Sequence, residues 1–184
     1  LYVEGDEKTL TNELMISVVG ARKASDYGNG VARALSSAMS HIGFTIVSGG
    51  ALGIDSSAHK GALDEKGETI CVLGCGLGTK YLIENKPLRD KILENGAIIT
   101  EFPPYYPASR VTFPLRNRII SGISLGTVVV EAGEKSGSLI TAHMALDMGK
   151  TVFSVPGNID NHLSMGTNAL LTDGAVPLIS SMDI

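Results

Sequence analysis

Short runs of apolar and β-branched residues alternate along the chain with longer stretches whose apolar positions recur every three or four residues. The short runs predict strands at Ile16–Gly20, Thr45–Ser48, Thr69–Gly74, Ala97–Thr100, Thr127–Glu131 and Thr151–Val155. Most are continuously apolar, the pattern of parallel strands buried on both faces. The longer stretches predict helices at Asp26–Ile42, Ile54–Glu65, Lys86–Glu94, Pro114–Gly122 and Leu139–Met148. In the helix from Asp26, Val31, Leu35, Ala38 and Ile42 share one face, Ser25 can cap the free N–H groups, and Gly43 ends the run. This alternation predicts an α/β fold, a doubly wound, mostly parallel sheet with helices on both faces. Residues 1–14 read as a lead-in segment and residues 15–184 as one domain, and the whole reads as a piece of a longer protein.

Composition narrows the class. With 43% hydrophobic and 18% charged residues in 184, the chain has the material for a core, which excludes disorder. No run approaches the roughly 18 apolar residues of a membrane span. The N-terminus is acidic rather than a signal peptide. Two cysteines, Cys71 and Cys75, lie in or beside one apolar run and make no disulfide framework, so a reducing, cytoplasmic compartment is expected. The 22 glycines exceed the average share, which suits backbone-lined ligand sites. The net charge of −4 argues against general nucleic-acid affinity. Its distribution argues otherwise: Phe102 to Val130 holds no Asp or Glu but three of the six arginines, Arg110, Arg116 and Arg118.

In open parallel sheets ligands bind beyond the carboxyl ends of the strands, so the strand-to-helix loops carry the candidate chemistry. Gly20 to Ser25 brings a glycine, a helix N-terminus and Arg22 together as a phosphate site, or else forms a tight turn with a surface arginine. Ser48-Gly49-Gly50 can expose amides to an anion, or use its glycines for close packing. Asp55 and His59, four apart on the next helix, read as an acid/base pair or a structural hydrogen bond. Phe113, Arg116, Asn117 and Arg118 open a helix in the acid-free window, which suits a sugar-phosphate backbone and a base, or an apolar helix with solvated arginines. Ser136, Gly137 and Ser138 form a third anion-ready loop.

Other motifs fail on context. Gly74-Cys75-Gly76-Leu77-Gly78 mimics a dinucleotide fingerprint, but no clear helix opens after it. Gly122-Ile123-Ser124-Leu125-Gly126 has the spacing of a nucleophile elbow, but a helix precedes it and a strand follows. Cys71 and Cys75 lack the partner ligands of a zinc site. No catalytic residue, metal or cofactor is expected.

Together these residues resemble the central Rossmann-like domain of the DprA/Smf family of DNA-processing proteins. The matching stretches are Val19-Gly20-Ala21-Arg22 with Ser25, Tyr27 and Gly28; Ser48 to Asp55 with His59; Phe113-Pro114 and Arg116 to Gly122; Ser136 to Ala142; and Val155-Pro156-Gly157 with Ser164 and Gly166-Thr167-Asn168. They follow the family's order over nearly the whole chain. The resemblance implies that residues 15–184 form a non-catalytic single-stranded DNA-binding domain. It also implies protection of incoming strands in natural transformation, help in loading RecA, and a homodimer formed through this domain. It places phosphates at Arg22, Ser48, Gly49, Arg116 and Arg118; base stacking on Phe113 is an added expectation. One departure is that Tyr81 precedes Leu82 where the family usually has Tyr-Pro. The family's flanking helical and winged-helix-like domains are not in this sequence, and no function of theirs is expected of it.

The alternatives are a nucleotide-processing enzyme of the lysine-decarboxylase-like phosphoribohydrolase type and a protein-interaction platform with a vestigial pocket. The enzymes carry Pro-Gly-Gly-x-Gly-Thr-x-x-Glu where this chain has Glu131 to Ser138, which lacks that motif.

Overall fold

The computed structural model describes residues 1–81 and 83–183; Leu82, where the sequence departs from the family's Tyr-Pro, lies outside them. Six largely apolar runs become parallel strands, all buried throughout except the last: β2 (Met15–Val19), β3 (Thr45–Ser48), β4 (Thr69–Val72), β5 (Gly96–Thr100), β6 (Gly126–Val129) and the half-buried β7 (Thr151–Ser154). Each matches a predicted strand within two residues. At one edge β1 (Tyr2–Gly5) pairs antiparallel with β5, and at the other β8 (Val176–Pro177) pairs with β7, giving the order β1-β5-β4-β3-β2-β6-β7-β8.

Helices α1 (Asp26–His41), α2 (Ile54–Asp64), α3 (Lys86–Ile92), α4 (Thr112–Ile123), α5 (Gly137–Asp147) and α6 (Met165–Thr172) fill the crossovers. Alternate residues of β2 divide the core. Ile16 and Val18 face Leu35 and Met39 of α1 and Ala58 of α2, whereas Met15 and Val19 face Ile120 of α4 and Ala142 of α5. The fold is therefore the expected mostly parallel, doubly wound α/β sheet. Among the described residues no helix is long and apolar enough to cross a membrane.

Three elements escaped the sequence reading. Residues 2–5, read as part of a lead-in, form edge strand β1 and pair register-true with residues 97–100. Helix α6 and the two-residue β8 close the other edge, where Asn168 of α6 exchanges two amide hydrogen bonds with Gly157. Part of the family-like motif from Pro156 to Asn168 thus serves to lock the loop after β7.

His59 is a core residue, and the expected bond to Asp55 is absent. The Thr69 hydroxyl donates to the Ile46 carbonyl at 2.7 Å, so it accepts from His59 Nδ1 at 2.7 Å. That pattern assigns the proton to Nδ1 and leaves Nε2 buried and without a partner among the described residues. Burial, with the nearby Arg116 charge, lowers the His59 pKa to about 3. As pH falls from about 6.5 toward 3, the unfolded chain binds a proton at this histidine and the native protein does not. Its contribution to the pH slope of the unfolding free energy is then up to about 1.4 kcal/mol per pH unit, with stability lost toward acid. Urea titrations between pH 3.5 and 6.5 should show that slope in the native sequence and a shallower one in His59→Gln; equal slopes would contradict the assignment.

Candidate functional site

The chain runs outward from β2 through β3 and β4 to β5, then restarts on the other side of β2 with β6. The switch point lies between β2 and β6, where doubly wound sheets open a crevice. The loops after β2, β3 and β6 meet there, and backbone bonds join them: Ala21 N–H donates to the Glu131 carbonyl at 2.7 Å, and Ile54 N–H to the Ala21 carbonyl at 3.2 Å.

The first predicted anion site is already occupied by a protein carboxylate. Glu131, buried at the end of β6, accepts from Ser25 N–H at 2.9 Å and from the Ser25 hydroxyl at 2.5 Å. The same hydroxyl accepts from Gly28 N–H at 3.0 Å and caps α1. A Cβ at Gly28 would displace the Glu131 carboxylate, so glycine there preserves the contact. An acceptor at a helix N-terminus satisfies orphan donors and favours the dipole; here Glu131 takes the place where a dinucleotide fold would hold a phosphate. Ser25 is consequently a structural cap and not part of an open anion site.

The second loop is also internally satisfied. The buried Ser48 hydroxyl donates to the Val18 carbonyl at 2.6 Å, and the Gly50 carbonyl accepts from the Asn85 amide at 3.0 Å. Ala51 N–H donates to the Asp55 carboxylate at 3.3 Å. Arg116 enters this end of the sheet from α4: Nη1 donates to the Gly49 carbonyl at 2.6 Å and to the Val72 carbonyl, while Nε is buried without a partner among the described residues. A Cβ on Gly49 would displace the guanidinium. Burial pushes the Asp55 carboxyl above its ordinary range, and the Arg116 charge only partly offsets this. Ser48, Gly49 and Gly50 therefore build the seat of Arg116 and Asp55.

The third loop is capped by its own Ser136 but leaves Gly137 exposed at the pocket. Ser136 caps α5, with its hydroxyl 2.8 Å from that of Ser138, and the Asn117 amide donates to the Gly137 carbonyl at 3.3 Å. These residues, with Gly20, Arg22, Phe113 and Arg116, line a pocket of about 360 Å³. The exposed Arg22 guanidinium lies 4.7 Å over the Phe113 ring, whose other close aromatic is Tyr81 at 5.4 Å. The cation thus sits where a stacked base was expected, a contact of about 0.5–2 kcal/mol. Arg118 is not in the pocket. Two residues along a helix point to different sides, and Arg118 pairs with Glu101 instead.

Sequence reasoning missed Arg110, which lines the pocket three residues before Phe113. Its place in the acid-free window was the available signal. Three arginines against the single carboxylate of Asp55 leave the lining positive. The glycines of 74–78 serve packing: Gly76 and Gly78 N–H groups donate to the Tyr106 and Pro104 carbonyls, at 2.9 and 2.7 Å. Both cysteines are free and buried. Among the described residues no group of three or more His, Cys, Asp or Glu side chains is placed to hold a metal ion.

The sequence model of the family described as DNA recombination-mediator protein A matches residues 1–184. The Bacillus subtilis DNA processing protein DprA is 40% identical over 184 residues, 100% of this chain and 62% of that protein. The X-ray structure of DprA from Streptococcus pneumoniae superposes with a TM-score of 0.93 at 38% identity, covering 98% of this chain and 63% of that one. A structure of Helicobacter pylori DprA, described for its single-stranded DNA binding mode, superposes with a TM-score of 0.91 at 31% identity, covering 99% and 83%. The chain thus spans less than two thirds of the Bacillus and Streptococcus proteins.

If Glu131 holds the Ser25 cap of α1 as described, Glu131→Ala should lower the unfolding free energy by about 1–3 kcal/mol, the cost of stripping partners from partly buried donors. Glu131→Gln, which keeps one acceptor, should lose less. Urea denaturation at constant pH measures both, and unchanged stability in Glu131→Ala would contradict the role.

Proposed function

The chain belongs to the family of DNA recombination-mediator protein A, and from that premise we propose that it binds single-stranded DNA without performing chemistry on the strand. The observation that carries this reading is the convergence of Arg22, Arg110 and Arg116 with the exposed Gly137 at the N-terminus of α5 on one pocket. Arg22 and Arg110 supply exposed cations for backbone phosphates. Arg116, anchored on the Gly49 and Val72 carbonyls, adds fixed positive charge beneath them. The N–H of the exposed Gly137 at the start of α5 offers a further phosphate position, while the Ser138 N–H is held by Ser136. An incoming base reaches Phe113 by sharing its ring with Arg22 or displacing it.

The printed description of the Helicobacter relative as a single-stranded DNA binder supports the same ligand. RecA loading, strand protection in natural transformation, a homodimer formed through this domain and a cytoplasmic location belong to this proposal and rest on the family likeness. The phosphoribohydrolase alternative is less well supported. Asp55 is buried against Ala51 and Arg116, and Glu131 is bound to Ser25, so neither carboxylate is free for acid/base work.

The test is fluorescence anisotropy of a labelled oligo-thymidine strand across a salt series, with a matched duplex beside it. Three or four neutralised phosphates give a slope of log affinity on log salt of about −2 to −3, at about 0.7 per phosphate. Arg22→Ala and Arg110→Ala should each weaken binding and flatten that slope by about 0.7. A slope near zero, or release of free base from a nucleoside monophosphate, would overturn the proposal.

A further inference from the structure

Resting on that reading, we infer that a second groove, on the far side of Arg22, holds the next stretch of the same single strand. The groove has a volume of about 500 Å³, within the range of about 300–1,000 Å³ usual for ligand sites. It runs between the first turns of α1 and α2, under the loop at Leu52 and Gly53. Arg22 lines both this groove and the arginine pocket, so the two form one track with a shared cation at the junction.

Its chemistry suits a polyanion. Arg22, Lys23, Arg33 and Lys60 contribute to the lining, and no Asp or Glu does. Arg33 is held by Asp64 through two hydrogen bonds of 2.5 and 2.8 Å, so it shapes the wall more than it adds free charge. Lys23 and Lys60 are exposed. The Ser57 hydroxyl donates to Asn29 Oδ1 at 2.8 Å, which orients the Asn29 amide and leaves its NH₂ as a donor to the groove. Leu52, 42% exposed, gives a base an apolar surface beside these donors.

A strand that leaves the pocket past Arg22 therefore meets two further cations and an oriented amide, on walls fixed by the packing of α1 on α2. Length dependence follows. A short strand fills the arginine pocket alone, and a longer one engages both sites.

The experiment compares strands of about six and about twenty thymidines, by anisotropy across a salt series, for the unaltered chain, Lys23→Gln/Lys60→Gln and Arg22→Ala. Thermal melts check that the variants fold. The lysine variant should bind the six-mer normally. It should bind the twenty-mer about tenfold more weakly near physiological salt, with a slope shallower by about 1.4, two phosphates at about 0.7 each. Arg22→Ala should weaken both strands. Unchanged twenty-mer binding by the lysine variant, or equal losses on both strands, would overturn the second groove while leaving the arginine pocket standing. Failure of the unaltered chain to bind either strand would instead overturn the underlying reading.

Discussion

Glu131 turns its carboxylate from the end of β6 onto the N-terminus of α1, and the geometry of the crevice depends on that contact. The side chain accepts from Ser25 twice, and the carbonyl of the same residue accepts from Ala21. The two strands flanking the switch point are thereby joined through their loops as well as through the sheet. Ala21 passes the constraint to the start of α2 through Ile54. Arg22 follows directly from this anchored turn, which places its guanidinium over Phe113.

The same contact separates this crevice from a dinucleotide site. A helix N-terminus needs acceptors, and whichever group supplies them excludes others. Two of the three helix starts at the crevice carry a side-chain cap, Ser25 backed by Glu131 for α1 and Ser136 for α5, while Asp55 holds the Ala51 amide in the turn before α2. The cap on α5 leaves its first residue, Gly137, exposed beside arginines and a ring. Such a surface fits a ligand that is held along its backbone rather than one buried head first. The charge arrangement agrees: positive side chains gather at the mouth of the pocket although the whole chain carries −4.

Much of the fold was legible because parallel strands buried on both faces read as unbroken apolar runs. β1, α6 and β8 were not legible for the complementary reason. β1 is a short edge strand that exposes most of its residues, α6 begins without a side-chain cap, and β8 is two residues long. At the site, sequence located the loops but not the directions of the side chains. Gly20, Arg22, Phe113, Asn117 and the serines of 136–138 do converge. Ser25 and Ser48 turn inward because buried backbone and carboxylate groups need partners there, and Arg118 turns to Glu101. Asp55 and His59 share a helix but not a bond, since Thr69 on β4 is the partner the imidazole meets. None of these choices is encoded in local spacing; each is made by residues distant in the chain.

The central claim is that α5, and not α1, offers its N-terminus to a phosphate. Amide NMR of the ¹⁵N-labelled chain during titration with a short thymidine strand tests it most directly. The account predicts the largest shift at the amide of Gly137, with those of Ser25 and Gly28 little changed because the Glu131 carboxylate and the cap it supports hold them. The largest shifts at Ser25 and Gly28 instead would mean that a phosphate displaces Glu131, and would contradict the account.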